Sequence, residues 1–222
     1  MLASPSRRLS VATLLTLWMA TLILTRMALT GSIFGSFLVW NLFLAAVPLM
    51  ASTALVALDQ KGGSLSARLA LAAVWLLFLP NAPYILTDLV HLAERPPVPF
   101  WFDLALLLSA AGTGLLSGYV ALADVQGVVA RHWGHRVAWA TSVGVLFLSA
   151  FGIYLGRELR WNSWDVLTAP GTLATDILTR IADPFAHPTT VVMTLVFGGM
   201  LTLGYVVLHA LAMPVQEEPD HA

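Results

Sequence analysis

Residues 69–91 have the sequence LALAAVWLLFLPNAPYILTDLVH, in which an apolar run meets a sharp interruption. Pro80 and Pro83 each lack a backbone N–H, and each disfavours helix at the residue before it. Inside a bilayer, the carbonyls freed by such a break must face other protein or a wet cavity. The stretch therefore predicts a membrane-spanning helix that is broken near one end.

Four polar residues after the break are spaced as one face of a short helix. Tyr84, Thr87, Asp88 and His91 follow i, i+3, i+4, i+7 spacing, with apolar residues between them. One interpretation is a proline kink followed by an interfacial turn, with Tyr84 anchored among the headgroups. The other is a broken helix that presents Asp88 and His91 to a cavity, as in transporters and membrane enzymes.

The composition of the chain agrees with a membrane protein. Of 222 residues, 58% are apolar and 10% are charged, and the mean hydropathy is +0.81. A soluble domain carries about 25% charged residues, so these values exclude a water-soluble enzyme, a disordered chain and a coiled coil. A formal charge of −1 gives no basic field for nucleic acid, and the absence of cysteine excludes disulfides and thiolate metal sites.

Six stretches approach the roughly 20 apolar residues that a membrane helix needs. They are residues 9–25, 32–58, 67–90, 100–123, 137–156 and 189–213. We therefore expect an all-α polytopic membrane helix bundle, with the third helix broken and a helical extension after the fifth. A single transmembrane domain covers 1–213, and 214–222 form a disordered acidic tail.

The first stretch has two interpretations, a cleaved signal peptide or a retained helix. We favour a retained helix, because the apolar run exceeds the usual 7–15 residues and no small-residue cleavage site precedes Arg26.

Lys and Arg in the loops predict the orientation of the bundle. The N-terminus and the second and fourth loops share one side and hold six basic residues, Arg7, Arg8, Lys61, Arg68, Arg131 and Arg136. The other side holds five, namely Arg26, Arg95, Arg157, Arg160 and Arg180. The last three lie in a long segment with prolines, where we expect structure rather than an orientation signal. We therefore predict a multi-pass protein of the inner membrane with both termini in the cytoplasm.

The unusual polar residues gather at one end of the predicted bundle, which we call the polar end. The third span ends there, the fourth begins, the fifth ends and the sixth begins. The ligand-binding candidates at this end are Asn81, Tyr84, Thr87, Asp88, His91, Asp103, Tyr154, Arg157, Glu158, Arg160, Asn162 and Asp165. Trp40 and Asn41 in the second span lie towards the same end, so the sequence predicts one shared polar site.

The fifth span ends in a second polar stripe. Tyr154, Arg157, Glu158 and Trp161 again follow i, i+3, i+4, i+7 spacing, and the row extends to Asn162 and Asp165 if the helix continues. Asp88 and Asp103 are the expected partners of Arg157 or Arg160, because an arginine fork matches a carboxylate. The pairing would either pin helix ends together or leave an arginine to bind an anionic ligand.

The Asp103 side chain has two possible roles. It opens the fourth span, where it would cap the helix N-terminus or take a ligand or proton-handling role.

Glycines four residues apart predict close helix packing. The pairs are Gly31/Gly35, Gly114/Gly118 and Gly152/Gly156. The last two pairs would bring the fourth and fifth spans together beside the Arg157 stripe.

Two long motifs resemble a known family. Residues 79–91, LPNAPYILTDLVH, and residues 152–165, GIYLGRELRWNSWD, are similar to a bacterial family of multipass membrane proteins, domain of unknown function 1361. Trp101-Phe102-Asp103 and Trp40-Asn41 also resemble it, and the likeness extends over about residues 35–210. The resemblance implies the architecture, but the family has no established activity and implies no mechanism.

Three functions are consistent with these residues. The first is a module that binds an anionic lipid headgroup, a small solute or a membrane partner, including a second copy of the chain. The second is a hydrolase or transferase with Asp88, His91 and Glu158 as catalytic candidates, or with a divalent metal on Asp88, His91 and Asp103. The third is a structural subunit or assembly factor. We favour the first, without a cofactor, because no nucleophile motif, histidine cluster or inverted repeat is visible.

Overall fold

The computed structural model describes residues 5–211. The α-helices are α1 Pro5–Thr30, α2 Ser36–Gln60, α3 Leu65–Phe78, α4 Asn81–Tyr84, α5 Phe100–Trp133, α6 His135–Glu158, α7 Asp165–Thr168, α8 Pro170–Ala182 and α9 Pro188–Leu211. A 3-10 helix, Ile85–His91, follows α4, and residues 5–211 contain no β-strand. The acidic tail predicted for 214–222 lies outside the described residues.

Six helical segments in this range are long and apolar enough to cross a membrane. They are Thr13–Thr30, Ser36–Gln60, Leu65–His91, Phe100–Trp133, His135–Glu158 and Pro188–Leu211. The predicted all-α polytopic bundle is therefore confirmed. The helical extension predicted after the fifth span corresponds to α7 and α8.

Local signals in the sequence set several helix ends. Ser64 begins α3, where its hydroxyl accepts the backbone N–H of Ala67 at 3.3 Å. Pro170 occupies the first position of α8. The N–H that proline lacks would have no partner within the helix at this position, so no hydrogen bond is lost. Gly134 separates α5 from α6 with a φ of 84°, a backbone conformation that residues other than glycine rarely adopt.

The broken third span differs from the expected helix after the break. Residues 85–91 form a 3-10 helix, in which side chains three apart share a face. Asp88 and His91 therefore share a face with Ile85, while Tyr84 and Thr87 lie on another. The predicted four-residue stripe is thus divided into two pairs.

The second predicted stripe is also shorter than expected. The fifth span, α6, ends at Glu158, and Arg160 has a φ of 62° that ends the helical path. Trp161, Asn162 and Asp165 consequently do not continue the helical row that begins at Tyr154. Trp161 and Asn162 belong to a loop that leads into α7, and Asp165 is the first residue of α7.

Helix packing leaves a gap on one side of the bundle. α2 packs on α5 and α3, whereas α6 packs on α9 and α5. The short α4 lies between these groups and contacts α2, α5 and α6. Below α4, α3 and α6 diverge, and the candidate site lies in the space between them.

Candidate functional site

A cavity of about 1320 Å³ lies between α3 and α6. Ala73, Leu76 and Leu77 of α3 form one apolar wall. The α6 wall is formed by Gly144, Phe147, Leu148, Phe151, Gly152 and Leu155. Leu76 and Leu148 line the cavity and are 37% and 50% exposed, so the cavity is open rather than enclosed.

Six of the predicted ligand-binding residues line this cavity. They are Asn81, Tyr84, His91, Arg157, Arg160 and Asn162. They come from α4, the 3-10 helix and the end of α6, which all reach the polar end. The structure thus brings these six residues together along one cavity.

Two side chains and one backbone N–H donate to carbonyls next to the proline break. The Asn81 side-chain amide donates to the Phe78 carbonyl and to the Ser163 hydroxyl, both at 2.9 Å. The Ser163 hydroxyl donates to the Leu77 carbonyl at 3.2 Å, and the Leu79 carbonyl accepts the N–H of Ala82 at 3.1 Å. The break is thus stabilised by a residue from the loop after α6.

Glycines on two helices let the broken segment approach closely. A Cβ on Gly114 would lie 2.5 Å from the carbonyl oxygen of Ala82, and one on Gly152 would lie 2.7 Å from Pro80. Gly156 faces the Tyr84 ring in the same way, at 3.1 Å. The glycine spacing was expected to join the fourth and fifth spans directly, but these glycines receive Pro80–Tyr84 instead.

Asp88 is buried at the polar end and hydrogen-bonded to α2. The Asn41 amide donates to its carboxylate at 2.7 Å. His91 and Arg157 lie close enough for their charges to act on this carboxylate, but neither forms an ion pair with it among residues 5–211. The expected salt bridge from Asp88 to Arg157 or Arg160 is therefore replaced by an amide hydrogen bond.

Asp103 has a different partner from those expected. Its two carboxylate oxygens accept from Arg26 at 2.7 and 3.2 Å, and both side chains are 2% exposed. The Arg26 guanidinium also lies 4.6 Å from the centre of the Phe34 ring. This pair joins α1 to α5. Because both carboxylate oxygens of Asp103 bind Arg26, Asp103 does not pair with Arg157 or Arg160 and is not placed to bind a ligand. Asp103 lies in the first turn of α5, but its carboxylate serves Arg26.

Arg157 and Arg160 remain without carboxylate partners. Within the described part of the chain, neither side chain has a hydrogen bond or an ion pair. Both line the cavity, Arg157 from the last turn of α6 and Arg160 from the loop that follows. Two unneutralised guanidinium groups therefore lie at the polar end of an otherwise apolar space.

The loop after α6 is ordered by short-range hydrogen bonds. The Asp165 carboxylate accepts from the backbone N–H of Asn162 at 2.7 Å, and from its amide at 3.2 Å. The backbone N–H of Asn162 is the main cause that lowers the pKa of Asp165 below its usual range. Asp165 thus holds the loop that carries Arg160, and it is not one of the residues that line the cavity.

Two further bonds attach α8 to α6. The Trp161 indole donates to Asp176 at 2.8 Å, and Arg180 donates to the Tyr154 hydroxyl at 3.0 Å. The Tyr154 bond raises the pKa of Arg180 above its usual range. Tyr154, predicted as a ligand contact, is buried and serves this attachment.

The remaining candidates do not assemble a reactive group. Thr87 donates to the Tyr84 carbonyl at 2.7 Å, and Glu158 is exposed at the end of α6. Among residues 5–211, no three His, Asp or Glu side chains lie close enough to hold a metal ion. The alternative metal set Asp88, His91 and Asp103 is not brought together, because Asp103 is bonded to Arg26.

Several residues of the site were not singled out by the sequence. Ser163 carries no spacing signal, although it lies inside the motif at 152–165. Trp164 of the loop lines the cavity beside Trp40 of α2, whose position towards this end was predicted, and their ring centres are 6.2 Å apart. Leu173 and Ile177 of α8 complete its side. The amphipathic pattern of α8 is the one sequence signal that could have indicated its role.

Residues 40–203 match a family described as "Protein of unknown function (DUF1361)". The chain belongs to this family, and the resemblance noted in the two long motifs is confirmed. No curated protein and no solved structure matches the chain.

Proposed function

We propose that this DUF1361 family member binds an anionic amphiphile, a molecule with an acyl chain and a phosphate or carboxylate headgroup. One observation carries the proposal. The cavity between α3 and α6 has long apolar walls that end at Arg157 and Arg160, and neither arginine has an ion pair among residues 5–211.

The two arginines suit an anionic headgroup. A guanidinium group binds phosphate or carboxylate through parallel hydrogen bonds, and it stays charged at any physiological pH. An anionic headgroup bound there would neutralise two guanidinium groups that have no ion pair among residues 5–211. The Tyr84 hydroxyl and the Asn162 amide offer further donors beside the arginines.

The apolar walls suit an acyl chain. Gly144 and Arg157 both line the cavity and are thirteen residues apart on α6, which corresponds to about 20 Å at 1.5 Å per residue. One leaflet contributes about 15 Å of the roughly 30 Å hydrocarbon core. The cavity is thus long enough for a chain that begins at the headgroup level and ends near the bilayer centre.

The size of the cavity favours a lipid over a small solute. Pockets for small molecules have volumes of about 300–1,000 Å³, whereas this one reaches about 1320 Å³. Its two main walls, α3 and α6, belong to membrane spans, where acyl chains are the surrounding solvent. A small anion alone would leave most of this apolar space unfilled.

The orientation predicted from the loops assigns the ligand to one leaflet. In an inner membrane with both termini in the cytoplasm, Arg157 and Arg160 would lie at the outer leaflet. An anionic lipid of that leaflet is then the expected ligand. A reporter fused after Ala222 that is active only outside the cytoplasm would reverse this assignment.

The headgroup is tested by thermal unfolding of purified protein in dodecyl maltoside micelles. Dodecyl phosphate should raise the unfolding midpoint of the wild type, and inorganic phosphate alone should not. The double variant R157Q/R160Q should lose this stabilisation. R136Q is the matched control, because it removes an exposed arginine at the opposite end of α6.

Two results would contradict the proposal. Equal stabilisation of all three proteins would show that dodecyl phosphate acts through the charge of the micelle. Stabilisation by inorganic phosphate to the same extent would show that the site takes a free anion and that the acyl chain is irrelevant.

The acyl-chain region is tested by filling it. A Cβ on Gly144 meets no atom within 4 Å, and Gly144 lines the cavity, so G144L should fold and occupy the chain site. Gly199 has equally open space but lies on α9, away from the cavity, so G199L is the control. Dodecyl phosphate should stabilise G199L like the wild type and G144L much less. Equal stabilisation of both variants would place the chain elsewhere.

A further inference from the structure

The segment from α7 to the start of α9, residues 165–187, carries an unusually exposed apolar surface. We call this segment the arm. Its α-helix α8 is amphipathic, with Leu173, Ala174, Ile177, Leu178 and Ile181 on one half of the helix surface. Thr172, Thr175, Asp176, Thr179 and Arg180 occupy the other half.

Hydrogen bonds from the polar half of α8 hold this helix beside the end of α6. Arg180 is bonded to Tyr154, which lies one turn before the end of α6, and Asp176 is bonded to Trp161, just beyond that end. The arm is therefore held level with the end of a membrane span. α8 has 13 residues, or about 20 Å, so it is too short to cross a hydrocarbon core of roughly 30 Å.

Part of the apolar half of α8 and the turns beside it face away from the protein. Leu167 is 83% exposed, Leu178 64%, Ile181 66% and Phe185 94%. The chain on either side of the arm belongs to membrane spans, α6 before it and α9 after it. The arm is therefore attached at both ends to helices that cross the membrane.

We propose that the arm lies in the bilayer interface, with Leu178 and Phe185 inserted among the acyl chains and the threonine face towards water. An amphipathic helix with a strong polar face takes this position at the boundary between headgroups and acyl chains. Leu173 and Ile177 line the cavity from the same helix. Contact with the bilayer thus holds in place one side of the cavity, and the arm's position does not depend on what the cavity binds.

Spin-label accessibility tests this proposal. The chain has no cysteine, so single variants can be labelled without changing the background. L178C and F185C place the label on the apolar face, and T175C and T179C are matched controls on the exposed threonine face of the same segment. Each variant is reconstituted in phosphatidylcholine/phosphatidylglycerol nanodiscs, with collision rates measured for oxygen, which concentrates in the bilayer, and for a nickel chelate, which stays in water.

The proposal predicts a higher ratio of oxygen to nickel collision rates on the apolar face. The ratio at L178C and F185C should be at least about three times the ratio at T175C and T179C. Four labels with the same water-like accessibility would overturn it, because the arm would then lie in solvent. Low accessibility to both reagents at L178C and F185C would also overturn it, because a second copy or another protein would then cover the surface. All four positions are exposed, so loss of folding is not expected.

Discussion

Substitutions at Arg160 can test separately whether its backbone is strained and whether its side chain binds a ligand. It follows the end of α6 with a φ of 62°, where glycine is the usual residue. The N–H of Trp161 then turns back to the Leu155 carbonyl at 3.1 Å. A non-glycine residue is therefore kept at a strained position whose side chain lines the cavity.

Replacing Arg160 with glycine should raise stability and lower affinity. The left-handed conformation costs an L-residue about 1–2 kcal/mol, which glycine would avoid. The extra freedom of glycine in the unfolded chain destabilises the folded state by about 0.5–1 kcal/mol, which offsets part of this gain. R160G should thus gain up to about 1.5 kcal/mol, which corresponds to a rise of up to about 6 °C in unfolding midpoint for a chain of this size. Loss of a charged hydrogen bond, about 1.5–3 kcal/mol, should weaken dodecyl phosphate binding roughly 10- to 100-fold.

The midpoint is measured by scanning fluorimetry, and the affinity by titration of dodecyl phosphate. R160K is the control, because it keeps the charge and the strained backbone and should therefore have the wild-type midpoint. A lower midpoint for R160G would refute the strain argument. An unchanged affinity would refute the role of Arg160 in headgroup binding.

Three further substitutions test how the site is held, each by thermal unfolding. G114V should destabilise the protein by about 1–3 kcal/mol, because its side chain would overlap the broken segment; G112V, with open space around it, should not. D103N should cost about 3–5 kcal/mol by leaving Arg26 buried without its counter-charge, and R26L/D103L should recover most of that loss. S163A should cost about 1 kcal/mol through loss of its bonds to the helix break, whereas an unchanged midpoint would show that these bonds do not stabilise the break.

Much of the architecture follows from local features of the sequence. Long apolar runs require helices that cross the bilayer, and Pro80 and Pro83 remove backbone donors whatever surrounds them. The convergence of Asn81, Tyr84 and Arg157 follows from counting spans, because alternate ends of successive helices lie on the same side. These predictions need no knowledge of which helices touch.

The pairings within the polar end required the helix order around the bundle. Asp103 is bonded to Arg26, 77 residues away, because α1 packs against α5, and no local pattern indicates that contact. The glycine spacing predicted close packing but not that the broken segment would be the partner. α6 ends at Glu158, and neither glycine nor proline marks the turn at Arg160, so the sequence left open whether the helical row continues.

The cavity itself has no sequence signature, because it results from the divergence of α3 and α6 below α4. Its apolar lining residues have the same character as residues that face lipid or pack in a core. Only its two arginines stand out, and their lack of a partner is visible only in three dimensions.

Native mass spectrometry of protein extracted from its own membrane tests most directly whether the cavity holds an anionic amphiphile. The wild type should retain one anionic lipid per chain, and R157Q/R160Q should lose it while R136Q keeps it. A lipid-free wild type, or equal retention by the double variant, would contradict the assignment of Arg157 and Arg160 to a headgroup.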